Sequence, residues 1–437
     1  MIAPQELMQT LIRLDTTNPP GNEILCIQYI DSLLNEAGIS TTILARDPNR
    51  PNLIARLTGR GDAPPLLLYG HVDVVTTVDQ EWTYPPFEAR EVDGFIWGCG
   101  TLDMKGPLTM LIAAFLKAAR IDLPGDVILC VVSDEEAGGN YGARFLVEQH
   151  PEQFDGVRFA LGEFGGFTLY FNGGRFYPIM IGEKLSCATR ATLRGTGGHA
   201  AFPVRGSAMG DLGRVLDVLD RKRLPVHVTP YTRIMLEALA AELSFPANAM
   251  MRGLLNPMLT DRILDLLGES GMLFDNLLHN TVSPTMVRAS EVINVIPGVV
   301  EVGLDIRLLP GFKPDDAYRE IRALLPKGLD IEFEVVEHAP GPDKPDMGLY
   351  NTLADIMRNA DPEGVPVPYM VGGVTDARFF SQLGIQTYGF TPMQLPPDVN
   401  LARAIHAADE RIPVGAVEFG TERVFEALQR FGEANAC

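Results

Sequence analysis

Cysteine is scarce: Cys26, Cys99, Cys130, Cys187 and Cys437 are spread along 437 positions and never form a C-x-x-C pair. An odd, dispersed set makes neither a disulfide framework nor a zinc ribbon. Basic residues are also short, with 36 Lys and Arg against 56 Asp and Glu, for a formal charge of −20. Nucleic acid and anionic membrane both need a basic footprint, so neither is expected as a partner. A local basic pocket for a small anion is compatible with the same balance. No apolar run approaches the roughly 18 residues that a membrane span requires. Met1 to Leu14 lacks the basic start, unbroken apolar stretch and small-residue cleavage site of a signal peptide. Its apolar residues recur at helical spacing instead, and a soluble cytoplasmic protein is expected. There is no G-x-S-x-G elbow, no Walker A loop and no HExxH. Gly98-x-Gly100 is followed by Asp103 where a dinucleotide fingerprint needs its third glycine.

What is present is an ordinary globular composition, 46% hydrophobic, on a chain long enough for two or three domains. In the first third, short apolar runs (Pro65–Tyr69, Asp126–Val132, Arg158–Leu161) alternate with helical periodicity (Ile24–Ala37, Met104–Arg120, Gly142–His150). That alternation predicts an α/β fold with a mostly parallel sheet flanked by helices. From Glu183 the order becomes strand, helix, strand, strand, helix, strand, the βαββαβ order of a smaller α+β, ferredoxin-like domain. The expected division is 1–183 and 341–437 for the larger domain and 184–340 for the smaller. An apolar insertion interrupts the smaller one at about 222–280.

Four acidic or histidine positions follow directly on apolar runs or glycine-rich turns. His71-Val-Asp73 follows Leu66-Leu-Leu-Tyr-Gly70, Asp103 follows Gly98-Cys-Gly100, Glu135-Glu136 follows Val127–Asp134, and Glu163 follows Arg158-Phe-Ala-Leu-Gly162. A parallel sheet brings such points to one edge, where ligands bind. His71 and Asp73 share a face of an extended segment, so Asp73 can support His71 as a metal ligand by accepting its far N–H. Taken singly, each site has an ordinary reading. Asp103 precedes a predicted helix and fits an N-cap, Glu163 fits a solvated strand end, and adjacent glutamates fit surface charge. In a regular strand two neighbours also point to opposite faces. Gly138-Gly139, just beyond, fits a chain that leaves the strand and aims both at one crevice. His150, His227, His279 and His338 lack an acidic or glycine-rich setting and read as structural or exposed. His199 and His406 stand in small-residue segments and, by residue type alone, are no more telling.

Together with these sites, motifs ordered along nearly the whole chain resemble the co-catalytic zinc hydrolases. That family includes aminoacylase, acetylornithine deacetylase, succinyl-diaminopimelate desuccinylase, glutamate carboxypeptidase and carboxypeptidase S. The motifs are Thr16-Thr-Asn-Pro-Pro-Gly21, Gly70-His-Val-Asp73, Gly100-Thr-Leu-Asp103-Met-Lys-Gly106 and Ser133-Asp-Glu-Glu136. They continue with Gly197-Gly-His199-Ala-Ala-Phe-Pro203, Asn294-Val-Ile-Pro297, Asp305-Ile-Arg307, Gly372-Gly-Val-Thr-Asp376-Ala-Arg378 and His406-Ala-Ala-Asp-Glu410. The resemblance implies a zinc-exopeptidase-like catalytic domain interrupted by a lid and dimerisation domain. It implies two divalent metal ions, zinc first, with cobalt or manganese as alternatives. His71 and Glu163 would hold one, Glu136 and His406 the other, and Asp103 would bridge. Glu135 would be the general base, Asp73 a further catalytic-site residue beside His71, and His199 an oxyanion donor that reaches the neighbouring subunit of a homodimer.

The same resemblance implies a small amide substrate with a free carboxylate, an N-acyl amino acid or short peptide. Arg378 and Arg307 would grip that carboxylate, with Asn294 a further contact. Glutamate at position 163 is associated with deacylases and desuccinylases more than with di- and tripeptidases. The long insertion, with Met235, Met250, Met251, Met258 and Met272, points to the carboxypeptidase S branch, as does Thr375-Asp376-Ala-Arg378. Those methionines fit an acyl pocket or simple packing. A carbamoyl or ester bond, or a non-catalytic binder on the same fold, are the other readings.

Overall fold

The apolar runs before His71 and before Ser133 form adjacent parallel strands in which every residue is buried. In the computed structural model, which describes residues 2–435, they lie mid-sheet; Met1, Ala436 and Cys437 fall outside the described residues. In chain order the first strands of that sheet are β1 (Thr41–Leu44), β2 (Asn52–Leu57), β3 (Leu66–His71), β4 (Val127–Val132), β5 (Phe159–Gly162), β6 (Leu169–Phe171) and β7 (Gly174–Glu183). A second sheet follows from β8 (Leu185–Arg194), β9 (Thr281–Arg288), β10 (Val299–Leu308) and β11 (Asp330–His338). The chain then returns to the first sheet with β12 (Gly364–Val371) and β13 (Gln386–Gly389).

The first sheet runs β1-β2-β4-β3-β5-β13-β7-β12, with β6 beside β7. Its middle, β4-β3-β5-β13, is parallel. The flanks differ from a uniformly parallel sheet: β1–β2, β2–β4, β13–β7 and β6–β7 are antiparallel. The physical reason is connection length, since parallel neighbours need a crossover whereas β1–β2 and β6–β7 are joined by short turns. The helix Lys105–Ala118, almost wholly buried, is the crossover between β3 and β4.

The second sheet runs β9-β10-β8-β11, all antiparallel. Alternate residues of β8 and β10 are buried. That face packs on helices Ala208–Arg221 and Pro314–Leu324 through Leu212, Val215, Ala317 and Ile321. This is the ferredoxin-like strand order. Between the first of those helices and β9 stand four more, Pro230–Glu242, Ala247–Gly253, Pro257–Leu267 and Met272–Leu278. Met235 and Met251 are buried there, while Met258 and Met272 are 86% and 70% exposed, so the insertion's methionines divide between core and surface.

The chain separates into two compact units. The larger runs through Gly182 and takes in Pro345–Tyr369 and the chain from Thr375 on; the smaller comprises Glu183–Lys344 and Met370–Val374. Among the described residues no helix is long and apolar enough to cross a membrane.

Candidate metal centre

His71 closes β3, and β3 delivers its imidazole buried. Nδ1–H donates to the Asp73 carbonyl oxygen at 3.0 Å, which leaves Nε2 as the lone-pair nitrogen of the neutral ring. That nitrogen lies 3.2 Å from Asp103 Oδ1 and 3.7 Å from Glu163 Oε2. The Asp73 carboxylate is further from the ring, 3.5 Å, and is engaged elsewhere. Its two oxygens accept the backbone N–H groups of Glu135 and Glu136, each at 3.1 Å, and the Asn18 amide at 2.9 Å. One buried carboxylate thus holds the imidazole's neighbourhood and the glutamate pair together.

The glutamate pair leaves the strand as the glycines after it allow. β4 ends at Val132, Asp134 takes a left-handed φ of 69°, and Glu135–Ala137 makes a short 3-10 turn. Asp134 is itself fixed by Arg50 at 2.8 Å and by Asn18 at 3.1 Å, and Arg50 also pairs with buried Glu23 at 2.6 Å. Glu163 follows directly on β5 and is buried.

Asp103 does not cap the helix that follows it, whose N-cap residue is Met104 with no side-chain cap bond. Its carboxylate faces both histidines instead, Oδ1 toward His71 and Oδ2 toward His406 Nε2 at 3.3 Å. His406, half-exposed and with a φ of 60°, also lies 3.2 Å from Glu136 Oε2. Two groups of atoms that could hold a cation result: His71, Asp103 and Glu163, and Asp103, Glu136 and His406. Within each group the atoms lie within 4.8 Å of one another. Asp103 belongs to both.

Electrostatics follow from the crowding. Burial opposes charge on His71, yet hydrogen bonds to Asp103, Asp73 and Glu163 raise its pKa well above the ordinary value. Hydrogen bonds to Asp103 and Glu136 raise His406 to about 10. Burial, with Glu163, Asp376 and Glu136 nearby, pushes Glu135 well above the usual carboxylate range. Asp376 is buried with neither carboxylate oxygen hydrogen-bonded, and burial raises it to about 7.

The other predicted site residues are placed as follows. Arg378, half-buried over the Phe379 ring at 4.6 Å, stands in the larger unit. His199, Asn294 and Arg307 stand in the smaller. His199 is exposed and accepts the Ala201 N–H at Nδ1, 3.1 Å, so its Nε2 carries the proton when the ring is neutral. The Asn294 carbonyl accepts the Ala200 N–H at 3.0 Å. Arg307 makes a two-pronged ion pair with Asp305, 2.7 and 3.0 Å, and is already engaged.

Sequence reasoning gave no role to Glu410, Asn18, Arg50 or Asp134. Glu410 is buried, and its carboxylate accepts N–H groups from Gly100, Leu102 and Asp103. Burial raises it to about 7 against the pull of those hydrogen bonds. Its position four residues after His406, inside a quoted motif, was the available signal.

A recess with room for about one water, ≈ 20 Å³, adjoins Asp103 and Glu163. Phe164, Phe167, Met393, Leu401 and Ile405 wall it.

The sequence matches peptidase family M20/M25/M40 over residues 67–430. It is 29% identical over 383 residues to the N-fatty-acyl-amino acid synthase/hydrolase PM20D1 of Homo sapiens, covering 84% of this chain and 74% of that protein. It is 26% identical over 372 residues to a probable carboxypeptidase S-like 2 of Dictyostelium discoideum, covering 80% and 68%. The fold is that of the M20 family metallo-carboxypeptidase Sso-CP2 from Sulfolobus solfataricus, with a TM-score of 0.71, 15% identity and coverage of 99% and 100%. The family match takes in every residue of the two groups, and this chain is an enzyme of peptidase family M20/M25/M40.

Proposed function

We propose that this enzyme hydrolyses the amide bond of an N-acyl amino acid, or of a short peptide, beside a free carboxylate. It does so with two divalent cations, zinc first, held by His71, Asp103 and Glu163 and by Asp103, Glu136 and His406. The observation that carries the reading is the sharing of Asp103 between two ligand groups, with Glu135 adjacent. Relatives named as an N-fatty-acyl-amino acid synthase/hydrolase and a carboxypeptidase S-like protein support the substrate class.

The donors fit such ions. Two imidazoles and three carboxylates are the ligand types that hold borderline and hard divalent cations. Glu136 Oε1 is buried without a hydrogen-bond partner, an arrangement that costs free energy unless a cation answers it. Bound cations would polarise a carbonyl and lower the pKa of water from about 15.7 to about 7. Glu135 takes the proton from the attacking water and delivers it to the leaving nitrogen, first base and then acid. Asp73 fixes Glu135 by its N–H and positions His71. Arg378, whose guanidinium makes no hydrogen bond or ion pair among the described residues, is free to bind a carboxylate. Arg307 would have to exchange Asp305 for substrate. His199 supplies an oxyanion donor and Asn294 a further contact.

We further propose a homodimer through the smaller unit. Its edge strand β9 is exposed from Ser283 to Arg288, and Ile293 nearby is fully exposed. Sedimentation of the purified protein tests it: a dimer is expected, and a fully active monomer at all concentrations removes the role assigned to His199.

The substrate reading is tested with metal-stripped protein, reloaded with zinc, cobalt or manganese. The panel is N-acyl amino acids of increasing chain length, dipeptides, and ureido and ester analogues. Metal-dependent cleavage of N-acyl amides or peptides is expected. Turnover of the ureido or ester compounds alone would refute the amide assignment.

A further inference from the structure

Glu410 lies four residues beyond His406, and its side chain turns back into the protein, 3% exposed. One oxygen accepts the N–H of Gly100 at 2.9 Å; the other accepts those of Leu102 and of Asp103, the latter at 3.1 Å. The Thr101 hydroxyl adds a weaker bond at 3.4 Å, and the Gly98 N–H reaches the Glu410 carbonyl at 3.0 Å. Every one of these donors comes from the loop that ends in Asp103. N–H groups aimed at one point form an anion cradle, and here an internal carboxylate fills it. The contact joins segments more than 300 residues apart, one carrying Asp103 and the other His406. The His406 loop is tied on its other side by Gln80 to the His406 carbonyl, 3.2 Å, and by Thr83 to Asp409, 2.7 Å.

We propose that Glu410 is a positioning residue that locks the Asp103 loop to the His406 loop, so that the cation site of Asp103, Glu136 and His406 depends on it more than the other does. This rests on the two-cation reading of the centre. The asymmetry is geometric: Glu410 positions two of the three ligands in that group and only Asp103 in the group of His71 and Glu163. An ionised carboxylate suits the cradle because it offers acceptors alone. Glu410→Gln would turn an NH₂ group toward N–H donors.

The test is a titration of metal-stripped protein with Co²⁺ against a chromophoric chelator, following the visible spectrum of each bound ion. The unmodified protein is expected to take two equivalents. E410Q is expected to lose about 10–100-fold in affinity at one site, as partners of metal ligands do, while the other changes by less than about threefold on the same scale. The metal-free variant should melt a few degrees below the metal-free parent, as the loss of a buried hydrogen bond requires, and stay folded at the titration temperature. Two unchanged isotherms, or equal weakening of both sites, would overturn the proposal. If E410Q does not fold, E410D keeps the charge but withdraws the carboxylate, and unchanged binding there would overturn it equally. An unmodified protein that takes fewer than two equivalents defeats the two-cation reading itself.

Discussion

Asp73 and Glu135 are neighbours in space and opposite in what their loss should do. Glu135 acts on the reacting atoms, so Glu135→Gln is expected to lower kcat by about 10²–10⁴-fold with both metals retained. Asp73 acts through others: its oxygens accept the N–H groups of Glu135 and Glu136 and face the His71 ring. Asp73→Asn turns an amide N–H toward those donors, and metal affinity should fall about 10–100-fold together with kcat. Metal content and turnover measured on both variants separate the roles; full metal occupancy in the Asp73→Asn variant would refute the part assigned to this carboxylate. The two-residue spacing of His71 and Asp73 was legible in the sequence. The carboxylate's hold on the glutamate turn was not, because its donors lie more than 60 residues away and only the pairing of β3 with β4 brings them near. Lys184 carries a separate prediction. Burial, aided by Arg307, lowers its pKa from 10.5 to about 7, and Nζ donates to the His279 carbonyl and Thr281 hydroxyl. Between those two values the unfolded chain binds a proton that the folded one does not, so stability should rise with pH there. Lys184→Met should abolish that rise, on the order of a few kcal/mol. Urea midpoints of both proteins at pH 7 and 9.5 decide it, and parallel pH dependence would count against the assignment.

At the scale of elements, the turn after β4 shows how a strand end becomes a site. Gly139 has a φ of 73°, and a Cβ there would meet the Phe379 ring at 2.7 Å and Asp376 Oδ1 at 3.1 Å. Gly38 has a φ of 78° with nothing within 4 Å. Alanine at either position should cost about 1–2 kcal/mol for the left-handed backbone. Only Gly139→Ala should also displace the turn that holds Glu135 and Glu136, lowering kcat at least tenfold, whereas Gly38→Ala should leave it unchanged. Equal turnover in the two variants, at equal loss of stability by urea titration, would mean that the turn tolerates displacement. Which elements were legible follows from pattern. β3 and β4 stand out as unbroken apolar runs because both their faces are covered. β1, with its pattern of partly and fully exposed residues, and the short β6 give no such run, so the antiparallel flanks escaped notice. The ferredoxin-like order was readable since its two helices carry strong apolar stripes at regular spacing. The surface position of Met258 and Met272 was not, because apolar type alone does not tell core from exposed face.

For the whole molecule, a chain of charge −20 gathers Asp73, Asp103, Glu135, Glu136, Glu163 and Asp376 around two histidines. Without cations the positive charge there must come from protons. His406, raised to about 10 by Asp103 and Glu136, therefore stabilises the metal-free fold fully below its ordinary value of 6.5, and that contribution is lost as pH climbs through 10. The group is half-exposed, so solvent screens part of the effect. Divalent ions need the same nitrogens unprotonated, and so binding must expel the protons from His71 and His406. Metal affinity should then increase with pH from about 6 towards 10. At pH 7 the uptake of two ions should release at least about two protons, one per imidazole, plus any held by the raised carboxyls of Glu135, Glu136 and Glu163. Calorimetric titration of zinc into stripped protein, in buffers of different ionisation enthalpy, reads that number directly. Heats independent of buffer would show that neither histidine gives up a proton, and the imidazoles would then lose their place as ligands. Chelation should also lower the melting temperature, with recovery on zinc addition that grows with the logarithm of free zinc, as a ligand bound only by the folded state requires.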